Sequence, residues 1–378
     1  MVDVKQKLLT IIVPSYNMEQ YLPKCLGSLI VAPELMERLE VLVVNDGSKD
    51  RTSEIAHEFA AKWPGTFKVI DKENGHYGSC INAALPMATG KYVRLLDADD
   101  YAVTDEFSGY LKWLDGVDVD FAFNDWEHVD LAGAPFYHAG YPVPTGRIFT
   151  PNEIPVKRTL VGVHAIAYRT EILRRMNYRQ TEGIAYTDTE WFLIPMSQVR
   201  TVRYYPHKVF RYLIGRSDQS VNCDEVRKNF WMFGRVLERI IRDYPAVCEA
   251  ASPTAINYVK GRIENAVSFF YCKAIYAFER NDSRFDLVSF DDLLRKNAPT
   301  VYAMTDAVRI SRWIRFRVVH EWRKGHTLKT WRFRLLKCYK AVLKKLRPSL
   351  DFAGVCPHKF CHHKFRGIFS PILQLNLV

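Results

Sequence analysis

Over the first 125 residues, short apolar runs alternate with segments of helical spacing. Residues 8–14 (LLTIIVP), 39–45 (LEVLVVN), 67–71 (FKVID) and 91–96 (KYVRLL) are runs of strand length. Between them, apolar side chains recur about every 3.6 residues: Leu22, Leu26, Leu29 and Ile30, then Ile55, Ala56, Phe59 and Ala60, then Cys80, Ala84 and Leu85. Strands apolar on both faces and separated by helices predict a parallel sheet covered on both sides. The fold class expected is α/β, a Rossmann-like open sheet whose ligands bind beyond the carboxyl ends of its strands.

From residue 119 to 215 the runs shorten and turn residues separate them, at 119–130, 146–150, 161–169 and 202–215. This predicts an antiparallel extension laid on the parallel half, where an acceptor is shaped. From residue 224 the pattern turns helical, with long candidates at 224–244 and 252–280, started by Asp224 and by Ser252–Pro253. The pattern divides the chain into residues 1–118, 119–222, a helical extension at 223–300 and a tail at 301–378.

Polar clusters fall at the four strand ends: PSYN (14–17), NDGS (45–48), DKENGHYGS (71–79) and DADD (97–100). Each alone has a plain alternative, since Asn45–Ser48 is good turn chemistry and Asp50 suits a helix cap. Four such clusters at consecutive strand ends favour one composite site. In extended chain alternate side chains share a face, so Asp97 and Asp99 point together and Asp100 turns outward to the next helix. An Asp-x-Asp of this kind supplies carboxylate oxygens to Mn²⁺ or Mg²⁺ bridging a nucleoside diphosphate. Neither GxGxxG nor GxxxxGK[ST] follows the first strand, which argues against a dehydrogenase and a P-loop NTPase.

Charge changes the picture at the other end. The net charge is +11, yet residues 301–378 hold 17 Lys and Arg against three acids. The body is therefore slightly acidic and the tail strongly basic, which points to an anionic partner surface. From Thr327 to Arg347, apolar residues at 328, 331, 335, 338, 339, 342, 343 and 346 span an arc of roughly 140°, opposite a lysine-rich side. Residues 309–347 are expected to lie on an anionic membrane surface rather than on nucleic acid, for which no motif is present. The alternative is that the helix packs on the body with its lysines solvated. No run of about 18 apolar residues and no signal peptide are seen, and the eight cysteines form no CxxC pair. These features suit a cytoplasmic protein attached peripherally to the inner face of the membrane. Cys356, Cys361, His362 and His363 lack the usual zinc spacing.

The segments TIIVPSYNMEQYLPKCLGSL, LEVLVVNDGSKDRTSEIA and NAALPMATGKYVRLLDADDYA resemble, in order and spacing, the GT-A glycosyltransferases of family 2. The resemblance covers residues 8 to about 220. It implies a GT-A fold, a Rossmann-like mixed sheet followed here by a helical C-terminal region. It implies that Pro14, Ser15 and Tyr16 line the base pocket and that Asp46 accepts the base imide N–H. Asp97 would meet the ribose or metal shell, and Asp99 would ligate Mn²⁺ or Mg²⁺. The catalytic base would be Asp188 in GIAYTDTEWFLIPM, although Thr187 stands where an acid is common. Glu190 is the rival, and Asp188 could instead simply cap the helix from Thr189. In FRYLIGRSDQSV, Arg211 and Arg216 would pair with phosphate oxygens or lie solvated.

His76 and Tyr77 lie near the expected sugar pocket, and His164 reads as a half-buried core histidine. The processive QxxRW motif is absent. The expected reaction is metal-dependent, inverting transfer of one sugar from a nucleotide-sugar, with uridine diphosphate favoured. The acceptor would be a hydroxyl of a lipid-linked surface glycan of capsule, exopolysaccharide or lipopolysaccharide type. The alternatives are a sugar-phosphate nucleotidyltransferase, which would need a Gly-rich basic loop after the first strand, and a binding module, which would have lost the carboxylates.

Overall fold

A computed structural model describes residues 6–156, 161–216, 219, 223–278, 284–311 and 314–325. The described residues divide into two compact units. The first runs to Gln219 and includes Ala251–Tyr258, and the second takes the rest.

The first unit is built on one nine-stranded sheet. Its parallel half contains β1 (Leu9–Ser15), β2 (Leu39–Asp46), β3 (Phe67–Lys72) and β4 (Tyr92–Leu95), in the order β3-β2-β1-β4. All eight residues of β2 are buried, as a run flanked on both faces requires. That includes Glu40, which accepts from Thr10 Oγ1 (2.7 Å), Lys68 Nζ (2.8 Å) and the Thr89 N–H (2.8 Å). A carboxylate with three donors is tolerated in a core that would otherwise exclude it. Strand order reverses between β1 and β4, which opens a crevice at their carboxyl ends.

The remaining strands are β5 (Tyr101–Ala102), β6 (Phe121–Val129), β7 (Pro135–Ala139), β8 (Ile166–Arg169) and β9 (Val202–Leu213). The expectation of an antiparallel extension needs correction. β8 does run antiparallel to β4 and β6, but β6 and β9 pair in parallel, so one mixed sheet continues through both halves. Residues 146–150 form no strand; Phe149 makes a single bridge to Val202. Pro142, Pro144 and Gly146 (φ +71°) precede it and break extended pairing. The sequence reading missed β7. Its hairpin turn is made by Asp130, whose Oδ1 accepts from the Ala132 and Ala134 N–H groups, and by Gly133 at φ +82°.

Helices of this unit are α1 (Leu22–Gly27), α2 (Pro33–Met36), α3 (Thr52–Lys62), α4 (His76–Ala84), α5 (Thr104–Asp115), α6 (Thr170–Arg175) and α7 (Asp188–Leu193). α4 packs on β1 and β2, α3 on β2 and β3, and α5 on β9.

The second unit is helical: α8 (Cys223–Glu249), most of α9 (Ile256–Phe278), α10 (Leu287–Asn297), α11 (Pro299–Thr305) and α12 (Val318–Arg323), with a hairpin of β10 (Arg309–Ser311) and β11 (Ile314–Arg317). α8 continues through Pro245 instead of stopping at Tyr244. α9 starts at Ile256, because the Ser252 carbonyl first closes a turn with the Ala255 and Ile256 N–H groups. Residues 301–311 and 314–325, expected to begin a separate tail, belong to this unit. Arg323 donates to Asp291 (2.7 Å) and Asp306 (2.9 Å), with its guanidinium 3.6 Å from the centre of the Tyr302 ring. A guanidinium so paired is not available to a membrane surface. The amphipathic segment from Thr327 and the Cys356–His363 cluster lie outside the described residues. Among the described residues no helix is long and apolar enough to cross a membrane.

Candidate active site

The loops after β1 and β2 are laced together. The Asn17 N–H donates to Ser48 Oγ (3.0 Å), and the Lys49 N–H donates to Asn17 Oδ1 (2.8 Å). Asn17 sits at φ +53°, a region asparagine tolerates better than most residues. Asp50 accepts from the Thr52 N–H, as a capping residue does, and also from the Glu19 N–H. Ser15 is buried, Pro14 is half-buried, and Tyr16 leaves 46% of its surface exposed beside them. An exposed ring at a strand end is a platform that a planar base can cover.

Asp46 ends β2 and is buried. Its Oδ1 accepts from Lys72 Nζ (2.7 Å) and the Gly75 N–H (3.0 Å), which fixes the carboxylate plane. Lys72, at the end of β3, was not singled out from the sequence, because a lysine on a half-exposed strand looks like an ordinary solvated charge.

The acid loop follows β4. One carboxylate oxygen from each of Asp97, Asp99 and Asp100 lies within 4.8 Å of the others. The loop is drawn tight by the Asp100 N–H donating to the Asp97 carbonyl (2.9 Å). Asp97 Oδ1 accepts from Tyr77 Oη at 2.9 Å. Burial, then Asp99 and Asp188, push the Asp97 carboxyl up to about 7, against the Tyr77 hydrogen bond and the Arg216 charge. Asp99 Oδ2 accepts from Arg216 Nη1 at 2.8 Å.

Asp100 does not turn outward as expected. It is buried, its Oδ1 accepts from the Leu213 N–H (2.9 Å), and its Oδ2 has no hydrogen-bond partner. His164 Nδ1 lies 3.9 Å from that oxygen. His164 is fully buried rather than half-buried, stacked on Tyr212 with ring centres 5.0 Å apart. Burial lowers the His164 pKa well below the ordinary range, so the ring is neutral, and burial raises Asp100 well above its range. Burial above all, then the charges of Asp100, Asp99, Asp97 and Asp188, raise the Tyr212 phenol well above its ordinary range. Nothing in the local pattern of β9 marks it.

Asp188 is the first residue of α7 rather than the cap before it. The preceding turn places Tyr186 at φ +66°, a costly conformation for an aromatic residue. Asp188 Oδ1 is enclosed without a hydrogen-bond partner. Burial and neighbouring Glu190 push its carboxyl up to about 6, against the N–H groups of Thr189 and its own residue. Glu190 is engaged elsewhere: it is fully buried and accepts from the Thr181 N–H (2.8 Å) and Oγ1 (2.6 Å). It anchors the loop that delivers Asp188.

That loop rests on α4, whose first turn carries His76 and Tyr77 rather than leaving them on a loop. The Gly183 N–H donates to the Gly75 carbonyl (2.9 Å), and Asn82 bonds both the N–H and the carbonyl of Gln180 (2.8 Å each). Gly78 permits this approach, since a Cβ there would meet the Thr181 carbonyl oxygen at 1.9 Å. Gly78→Ala is therefore expected to displace residues 180–183. Overpacking of this kind costs about 1–3 kcal/mol. A thermal melt should fall by several degrees, and turnover should fall more steeply than nucleotide affinity.

The structure thus brings Asp97, Asp99, Asp100, Asp188, Tyr77, Tyr212 and Arg216 to one locus, with Asp46 at the neighbouring strand end. Arg211 is placed apart from this group. On β9 its Nε donates to Glu127 Oε1 of β6 (2.9 Å), so its charge is already paired.

The sequence profile described as Glycosyl transferase family 2 matches residues 10–176. Those residues belong to glycosyl transferase family 2. An uncharacterized glycosyltransferase, the MG025 homolog of Mycoplasma pneumoniae, is 38% identical over 102 residues, covering 26% of this chain and 34% of that protein. The minor teichoic acid biosynthesis protein GgaB of Bacillus subtilis is 34% identical over 133 residues, 34% of this chain and 14% of its own length. The chain therefore matches about a third of the first relative's length and about a seventh of the second's. S. aureus TarS 1–349, solved in complex with UDP-GlcNAc, superposes with a TM-score of 0.54 at 20% identity, over 84% of this chain and 92% of that one. That likeness extends the shared GT-A fold beyond the family 2 match. Asp188, Arg211 and Arg216 lie beyond residue 176, so their roles rest on geometry.

Proposed function

We propose that the protein is an inverting glycosyltransferase that moves one sugar from a nucleoside diphosphate sugar to a hydroxyl of a bacterial surface glycan. The observation that carries this reading is a partly buried carboxylate, Asp188, with one oxygen (Oδ1) left without a hydrogen-bond partner, beside an Asp97–Asp99 cluster at the switch point of a family 2 domain. Asp188 accepts the proton of the attacking hydroxyl, and its raised pKa lets it hold that proton near neutral pH. Asp46, with one oxygen fixed by Lys72, accepts an imide N–H, as uracil offers. Tyr16 covers the base.

The acid loop suits a hard divalent cation, since its oxygens converge within 4.8 Å. Asp97 and Asp99 would hold Mn²⁺ or Mg²⁺, which when bound neutralises the leaving diphosphate. Tyr77 orients Asp97 through its hydroxyl. The surface-glycan acceptor is supported by the name of the Bacillus relative, and the uridine donor by the nucleotide sugar bound to TarS.

A screen of nucleotide-sugars for Mn²⁺-dependent hydrolysis tests the reading, run beside Asp99→Asn and Asp188→Asn. Turnover of no donor, or turnover indifferent to both substitutions, overturns it. Peripheral attachment to an anionic membrane rests on the basic residues beyond 325. Lys340, Lys344 and Lys345 replaced together by Glu should abolish flotation of the full chain with anionic liposomes and leave donor hydrolysis intact.

A further inference from the structure

Arg216 occupies the carboxylate that the metal reading needs. It follows Gly215 (φ +121°) beyond β9 and is only 8% exposed. Nη1 donates to Asp99 Oδ2 at 2.8 Å and lies 3.5 Å from Met18 Sδ, while the guanidinium sits 4.7 Å from the centre of the Tyr21 ring. Residues from the loop after β1 therefore seat this cation on the acid loop. Three carboxylates within 4.8 Å repel one another, and a buried guanidinium offsets part of that repulsion.

The guanidinium fork suits carboxylate and phosphate oxygens alike. A divalent ion on Asp99 would sit about 2.1 Å from the carboxylate oxygen. With Arg216 still at 2.8 Å from that atom, two cations would be driven together. A metal ion on Oδ2 thus requires Arg216 to leave that oxygen, and one on the other oxygen of Asp99 would still face the guanidinium charge across the same carboxylate. Leaving is unfavourable unless another anion receives the fork, and a diphosphate at the same locus does so.

We propose that Arg216 is the resident counter-ion of Asp99 in the nucleotide-free protein, and that it exchanges onto the diphosphate as metal and nucleotide enter together. The inference rests on the reading of Asp99 as a metal ligand. It makes Arg216 a positioning residue with a defined cost. Free metal binds weakly because it must displace a seated cation. Metal and nucleotide then favour each other's binding by the same factor.

Calorimetric titration of the full chain with Mn²⁺ alone, and again with UDP present, tests this. Arg216→Met should bind Mn²⁺ alone about tenfold more tightly than the unsubstituted protein, the scale of one charge-assisted hydrogen bond. UDP should then tighten Mn²⁺ binding by a smaller factor than before. Tyr21→Leu removes the aromatic seat without touching a carboxylate, and should tighten Mn²⁺ alone by about a few-fold. Mn²⁺ affinity unchanged or weakened in both variants overturns the exchange. Asp99→Asn separates the two ideas. If it leaves Mn²⁺ affinity intact, the metal assignment itself fails; if it abolishes binding while both other variants stay unchanged, only the exchange fails.

Discussion

Asp188→Asn should lower the rate of sugar transfer about a thousandfold, the middle of the range that a positioned general base supplies, while UDP affinity should stay within a few-fold. The asparagine keeps the shape at the head of α7 but cannot take a proton. The pH profile sharpens the test. The Asp188 carboxyl titrates at about 6, because burial and Glu190 oppose its ionisation more than two N–H groups favour it. Transfer in the unsubstituted protein should therefore rise with pH up to about 6 and level off above, and Asp188→Asn should lose that limb.

Stability moves the other way. A carboxyl whose folded pKa is raised destabilises the fold when ionised, fully above about pH 6 and not at all below its unfolded value near 4. Asp188→Asn should thus raise the melting temperature at pH 7.5 and leave it unchanged at pH 3.5. Unaltered turnover in this variant would remove Asp188 from the chemistry.

Asp99→Asn should weaken Mn²⁺-dependent donor binding by about a hundredfold or more. Loss of a group that merely orients a metal ligand already costs about 10- to 100-fold, and a direct ligand costs no less. Two effects on stability oppose each other. Arg216 is left without its carboxylate, and removing one partner of a buried pair costs about 3–5 kcal/mol when burial is complete. Here the two side chains keep 6% and 12% of their surface exposed, and removing Asp99 relieves its repulsion of Asp97 and Asp100. The metal-free melting temperature should consequently drop by only a few degrees. Dialysis against Mn²⁺ with and without UDP, together with a thermal melt, checks both parts. A donor affinity that stays Mn²⁺-dependent and unweakened would exclude Asp99 as ligand.

Much of this site was legible before the fold was known. The alternation of apolar runs and helical spacing placed β1 to β4 within a residue or two, because burial on two faces leaves few polar positions in a strand. The polar clusters after those strands were legible because Gly, Asn and Asp are what tight turns at strand ends require. Asp97, Asp99, Asp46 and Asp188 were singled out on that basis together with the family resemblance.

Pairing over long separations was not legible. An apolar strand face declares that it will be covered, not by which partner or in which direction. Hence β6 and β9, some 80 residues apart, could be expected as strands but not as a parallel pair. Glu190 and Asp188 are two residues apart with the same functional group; Thr181 sets them apart by donating two hydrogen bonds to Glu190. Arg211 and Arg216 looked alike as arginines for phosphate oxygens or solvent, and Glu127 and Asp99 gave them different partners.

By itself, the sequence determined most of the strands and helices and which strand ends would bear the candidate site, because periodicity and turn propensity are local properties. Only the tertiary structure decided that Asp100 faces inward, that His164 is neutral beneath it, and that a guanidinium rests on Asp99. Those outcomes depend on burial and on charges brought together from distant parts of the chain, and no local pattern encodes a neighbour's field.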